Sequence, residues 1–181
     1  MPRVLRALVS MPASPGVIGY PAFEAEDGAD GMAHDTNDFT TGPRADPRGA
    51  RLCLAAGTAH RGALDGGWWP RSHDASTELP ELVAGLAGHL GRVTHLAIDT
   101  DYWEHVPGDI TVAGRKVKVG GLPGLGHVVV VIRGRMDTFL LLVVPPEAAQ
   151  THAYAALNGS AAGAASAWPE EILATCDIST A

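Results

Sequence analysis

The stretch VVVVIRGRMDTFLLLVV, Val128 to Val144, contains two uninterrupted apolar runs, Val128–Ile132 and Phe139–Val144, joined through Gly134-Arg135-Met136-Asp137. A strand with one wet face alternates apolar and polar side chains, so runs without alternation predict strands covered on both faces, at the centre of a sheet. The glycine-containing connection is short enough for a hairpin.

Working outward, Pro145-Pro146 closes the second run, and the alanine-rich segments 147–157 and 160–175, separated by Asn158-Gly159, are expected to be helices. On the N-terminal side, Ile110 and Val112, then Val117 and Val119, alternate across Ala113-Gly114-Arg115 and predict another hairpin. Val93–Ile98 reads as a strand with Thr94, Leu96 and Ile98 on one side. Leu79, Leu82, Val83, Leu86 and Leu90 recur at helical spacing, with N-cap oxygens on Asp74, Ser76 or Thr77, Pro80 in the first turn and Gly91 as the stop. Arg51–Ala55 alternates as a strand with Leu52 and Leu54 on one face. Short connections between successive strands favour antiparallel neighbours. The expected fold is therefore α+β: a mainly antiparallel five- to six-stranded sheet with two or three helices packed on it.

At 181 residues the chain has room for one core, expected over residues 50–181 as a single α+β domain. Residues 1–49 hold six of the 13 prolines and the acidic segment Glu24–Gly31, a composition expected to form a flexible N-terminal extension. Arg3 and Arg6 precede a short apolar run, but Pro12 and Pro15 interrupt it too early for a secretory signal, and Met32 offers a second start. No run approaches the roughly 18 apolar residues of a membrane helix, and a net charge of -7 disfavours nucleic acid and anionic lipid. Small molecules, or a second copy meeting through a sheet edge as a homodimer, are the expected partners. Cys53 and Cys176 lack metal-type or disulfide-framework spacing, which fits a reducing cytoplasm.

Chemical signals are sparse. Gly120-Gly121-Leu122-Pro123-Gly124-Leu125-Gly126 lacks the Lys-Ser or Lys-Thr of a phosphate loop and precedes a strand, so it reads as a turn. His60, His73 and Asp74 match no metal-ligand spacing, and His34, Asp35 and Asp38 fall in the extension, so neither metal nor cofactor is expected. His95, on the strand face shared with Val93 and Ala97, is expected to be packed or partly buried, and His89 lies on the polar side of its helix. His127 closes the glycine loop at the entry to a central strand, where neighbouring loops converge. Lys116, Lys118, Arg133 and Arg135 are read as edge protection. Ser72 has no nucleophile-elbow context.

The densest motif is LDGGWWPRSHD, Leu64 to Asp74. Adjacent tryptophans on an extended segment point to opposite faces, so one is expected in the core and the other over a groove or partly exposed. Asp65 before Gly66-Gly67 allows a turn in which its carboxylate accepts backbone N–H groups, and Arg71 pairs with Asp65, stacks on Trp69 or meets a ligand. The motif, together with Glu78–Leu82, Val93–Ala97, Trp103, the hairpin ending at Val119-Gly120 and Leu141–Pro146, resembles a family of short actinobacterial proteins catalogued only as a domain of unknown function. The resemblance covers roughly residues 50 to 157 and implies a histidine at His127, but no activity. The long N-terminal extension and a shortened Gly121–Gly126 loop depart from it.

Three functions follow. One is a small-ligand-binding or regulatory module whose pocket is formed by Asp65, Trp68, Trp69, Arg71, His73, Trp103 and His127, for an acidic, aromatic or nucleotide-like ligand. Another is a metal-independent acid/base enzyme (isomerase, lyase or hydrolase) using His127 or His73 with Asp65. The third is a structural or interaction protein in which the motif is core packing.

Overall fold

The computed structural model describes residues 51–55, 63–134, 137–162 and 167–180. The expected extension over residues 1–49, with His34, Asp35 and Asp38, and also His60, lie outside them. The elements in chain order are β1 (Arg51–Leu54), β2 (Gly66–Trp69), α1 (Ala75–Leu90), β3 (Val93–Ile98), β4 (Asp109–Val112), β5 (Arg115–Gly121), β6 (Val128–Arg133), β7 (Asp137–Val143), α2 (Gln150–Ala161) and α3 (Pro169–Thr175).

The α+β class holds, but the sheet is seven-stranded and mixed, in the order β1-β2-β7-β6-β3-β5-β4. Five- to six-stranded and mainly antiparallel was wrong for two reasons. Gly66–Trp69, expected as an extended turn segment, is a full strand that pairs parallel with β7. In addition, β5 and β6 are consecutive in sequence but not neighbours, because β3 lies between them, parallel to β5 and antiparallel to β6. As a result β2, β7, β3 and β5 all run one way, and their C-terminal ends share one edge of the sheet with the N-terminal ends of β1, β4 and β6.

The central hairpin lies where its composition demands. Val128–Ile132 pairs with Thr138–Leu142 in the middle of the sheet, and both faces of the two strands are covered. On one face Val129, Val131, Leu141 and Val143 pack with α1 residues Leu79, Leu82, Val83 and Leu86 and with Ile110 and Val117. On the other, Val128, Val130 and Leu142 pack with α2 and α3 through Ala153, Ala156, Leu157, Ile172 and Leu173. The β4–β5 hairpin turns through Ala113 and Gly114, both at positive φ (49° and 75°), the primed turn that matches strand twist.

Three local expectations change. Asp74 caps α1 through its side chain, so the helix begins at Ala75 and Pro80 lies in its second turn rather than its first. The C-terminal helices are not broken at Asn158-Gly159: α2 runs through both residues to Ala161. The β3 register shifts between Val93 and His95, which sends Val93 into the α1-side core with Leu96 and Ile98 and leaves His95 exposed, not packed. The bulge, absent from any alternating reading, is the cause. His89 is exposed on α1 as expected. Among the described residues, no helix is long and apolar enough to cross a membrane.

Candidate functional site

The tryptophan motif crosses the sheet. Trp68 and Trp69, consecutive on β2, point to opposite faces, and both are buried, at 1% and 6% exposure. Trp68 stacks on Trp103 (5.3 Å between rings, 12° between planes) in the α1-side core. Trp69 enters the α2-side core, where its indole N–H donates to the Pro145 carbonyl (3.1 Å) and its ring meets Tyr154 edge-on. The Arg51 guanidinium lies 3.4 Å above the Trp69 ring and donates to the Trp69 and Pro70 carbonyls. The two glycines are required by space: a Cβ on Gly66 would meet the Cys53 carbonyl oxygen at 2.3 Å, and one on Gly67 the Ser160 hydroxyl at 2.5 Å. The expectation that one tryptophan covers a groove is therefore corrected, because a strand with a helix layer on each side buries both of its faces.

Polar chemistry collects at the edge where the four like-directed strands end. After β2, His73 is held by a lattice of main-chain bonds: Glu104 N–H donates to the His73 carbonyl (2.8 Å) and Ala75 N–H to the Glu104 carbonyl (2.9 Å). Buried Glu78 accepts from the Arg71 backbone N–H (3.0 Å) and the Ser72 hydroxyl (2.9 Å), fixing that loop from the helix side. After β3, buried Asp99 accepts from the Asp101 N–H (2.8 Å) and from the Gly126 N–H (2.6 Å), which ties the loop bearing Tyr102 to the loop bearing His127. The Tyr102 ring packs edge-on against both His127 (4.9 Å between centroids) and His73 (4.8 Å). After β7, Glu147 contacts His73 at 3.3 Å between Oε2 and Nε2.

Within this rim, Tyr102 Oη and His127 Nδ1 are fully buried and have no hydrogen-bond partner among the described residues. Burial pushes the Tyr102 phenol well above its ordinary pKa of 10, and Glu147 adds to the shift. Burial lowers the His127 imidazole below 6.5, against the opposing pull of Glu170, Asp99, Glu147 and a backbone hydrogen bond to Val143. A ring held neutral keeps one nitrogen as an acceptor. Beside the rim, an open depression of about 320 Å³ is lined by residues including Pro145, Glu147, His152 and Asp177. Among the described residues, no three His, Cys, Asp or Glu side chains converge as a metal-binding set.

A protein-family model, described as a family of unknown function (DUF5994), matches residues 51–160. The chain belongs to this family. No curated protein and no solved structure matches it. The family region runs from β1 through almost all of α2 and so contains His73, Tyr102, His127 and Glu147, while α3 with Glu170 lies beyond it.

Within this DUF5994 region the seven residues singled out from sequence separate into four places. His73 and His127 meet at the rim, bridged by Tyr102. Trp68, Trp69 and Trp103 are core. Asp65 accepts the Leu140 N–H (2.8 Å) at the start of β2, and the strand's four residues, about 13 Å of chain, separate it from Arg71 and from the rim. Arg71 pairs with Glu81 (2.9 Å), and Asp65 stands at the opposite end of β2 from the loop that bears His73. Sequence reading missed Tyr102, Asp99, Glu147 and Glu170. A signal was present for three of them: Asp99 and Tyr102 follow a strand directly, and Glu147 follows Pro145-Pro146, the positions at which loops carry chemistry.

Proposed function

We propose that this chain is a cytoplasmic binding module for a small polar molecule, held at the rim formed by His73, Tyr102, His127 and Glu147. The observation that carries the proposal is the pair of buried, unpartnered polar atoms, Tyr102 Oη and His127 Nδ1, on adjacent rings. Leaving such a group unpaired costs about 1–3 kcal/mol, and a molecule offering hydrogen bonds to both offsets that cost. The location supports the reading, since ligands of open sheets containing parallel strands sit outside the strands' carboxyl ends. Two free cysteines agree with the reducing compartment.

The test is a thermal-shift screen of small polar molecules against the wild type and Tyr102→Phe. Removing an unpartnered hydroxyl leaves stability unchanged or raised, while stabilisation by hits from the screen is lost. A Tyr102→Phe protein that is less stable by more than about 1 kcal/mol, or hits that ignore the substitution, overturn the reading.

The His73–Glu147 contact favours a second reading, acid/base chemistry on the bound molecule, in which Glu147 orients the imidazole. It requires that a hit be chemically converted, with a pH profile that His73→Gln abolishes.

A further inference from the structure

We infer that the molecule bound at this rim carries a primary ammonium group, whose three N–H bonds are accepted by Tyr102 Oη, His127 Nδ1 and the Glu147 carboxylate. The inference rests on the rim being a ligand site and goes further by assigning the ligand's chemistry.

Three observations converge on it. The first concerns hydrogen-bond roles. Nδ1 of the His127 ring is buried without a partner among the described residues. With the ring proton on Nε2, Nδ1 presents a lone pair that accepts from a donor. A phenolic oxygen also accepts, and a carboxylate only accepts, so the three groups together call for a donor with several N–H bonds.

The second is charge. The groups acting on His127 and Tyr102 from the surrounding elements are Asp99 after β3, Glu147 after β7 and Glu170 on α3, all acidic. Glu170 reaches within 3.2 Å of the space a side chain on Gly126 would fill. Arg71, on the loop after β2, is engaged by Glu81. An anionic ligand would meet repulsion here, and a cation attraction.

The third is surface. The rings of His73 and Tyr102 give aromatic area beside the acids, and cations bind favourably over such rings. The adjoining depression, at about 320 Å³ near the lower end of ligand-pocket volumes, suits the short body of a small amine.

The experiment uses the full chain, ¹⁵N-labelled, titrated separately with butylamine, 1-butanol, butyltrimethylammonium and butyrate. Butylamine is expected to shift the Gly126, His127 and Val128 amides and the His127 imidazole saturably, whereas the other three leave them in place. Glu147→Gln, at a side chain 68% exposed and so harmless to the fold, is expected to weaken butylamine about fivefold. Equal binding of 1-butanol at the same signals overturns the ammonium assignment while supporting the ligand site. Binding of butyltrimethylammonium as tight as that of butylamine overturns the three-acceptor arrangement, and preferential binding of butyrate overturns the charge argument. If none of the four moves these signals, the ammonium inference fails by itself, and the ligand site is decided separately by the Tyr102→Phe screen.

Discussion

Gly67 sets how closely α2 approaches the sheet. A methyl group there would lie 2.5 Å from the Ser160 hydroxyl and 3.0 Å from Leu157 Cδ2, so the helix must lift or Leu157 must leave its rotamer. Gly67→Ala is expected to cost about 1–3 kcal/mol in urea unfolding, and pairing it with Ser160→Ala, which removes the nearer atom, should recover part of that loss. An unchanged midpoint for the single variant would show that the α2–β2 contact is looser than the structure has it. At the rim, His127 makes a prediction of the opposite kind, about pH. Burial holds its folded pKa below the ordinary 6.5, so between these two values the unfolded chain binds more protons than the folded one. Its contribution to stability is complete above pH 6.5 and declines as the pH falls from there toward the lowered value. Comparing urea midpoints of the wild type and His127→Asn from pH 7.5 to 5.0 isolates the effect. The wild type should lose more stability than the variant on acidification, and parallel curves would place the imidazole in water. Tyr102 has the reverse sign, with stability falling as the pH rises above 10, because the buried phenol resists ionisation.

At the scale of elements, β2 and its neighbours show which parts of the fold were legible in the sequence. The double-buried hairpin of Val128–Val144 and the α1 stripe of leucines were readable because burial on both faces, or along one stripe, leaves a periodicity in composition. β2 was not readable as a strand. Four residues, two of them glycine, carry no period, and their pairing with β7 depends on a contact 75 residues away. The same limit hid the parallel pairing of β5 with β3, since the short β4–β5 hairpin is local while its side of the sheet is not. Arg51 tests the importance of the β1–β2 corner. Its guanidinium both stacks on Trp69 and donates to the Trp69 and Pro70 carbonyls, a planar arrangement that an ammonium group cannot reproduce. Arg51→Lys is expected to cost about 1 kcal/mol and to loosen the edge strand β1, seen as faster hydrogen exchange at Cys53 and Leu54 with the central strands unaffected. Exchange that rises equally across β6 and β7 would contradict this local role.

At the scale of the whole molecule, the rim exists because four strands end on one edge, and this explains why its members were only partly visible in the sequence. His73 and His127 stood out as residues beside motifs, but Tyr102, Asp99 and Glu147 reach the same place from loops whose adjacency is fixed only by strand order. α3 extends that logic beyond the family region, which ends at residue 160. It covers the α2-side core with Ile172 and Leu173 and brings Glu170 to Gly126, next to the loop anchored by fully buried Leu125. Ending the chain after Ala162 should therefore leave all seven strands paired while uncovering the Leu125 anchor. Far-UV circular dichroism is expected to keep its sheet signal, and the urea midpoint to fall by an amount equivalent to about 2–5 kcal/mol, the cost of losing large buried side chains. Exchange at Gly126 and His127 should accelerate more than at Val129 and Val131, because the loop then keeps Asp99 and its main-chain bonds but loses its cover from α3. A truncated chain that unfolds completely would make α3 part of the minimal fold, and one whose Gly126 exchange is unchanged would show that Asp99 suffices to fix His127 against Tyr102.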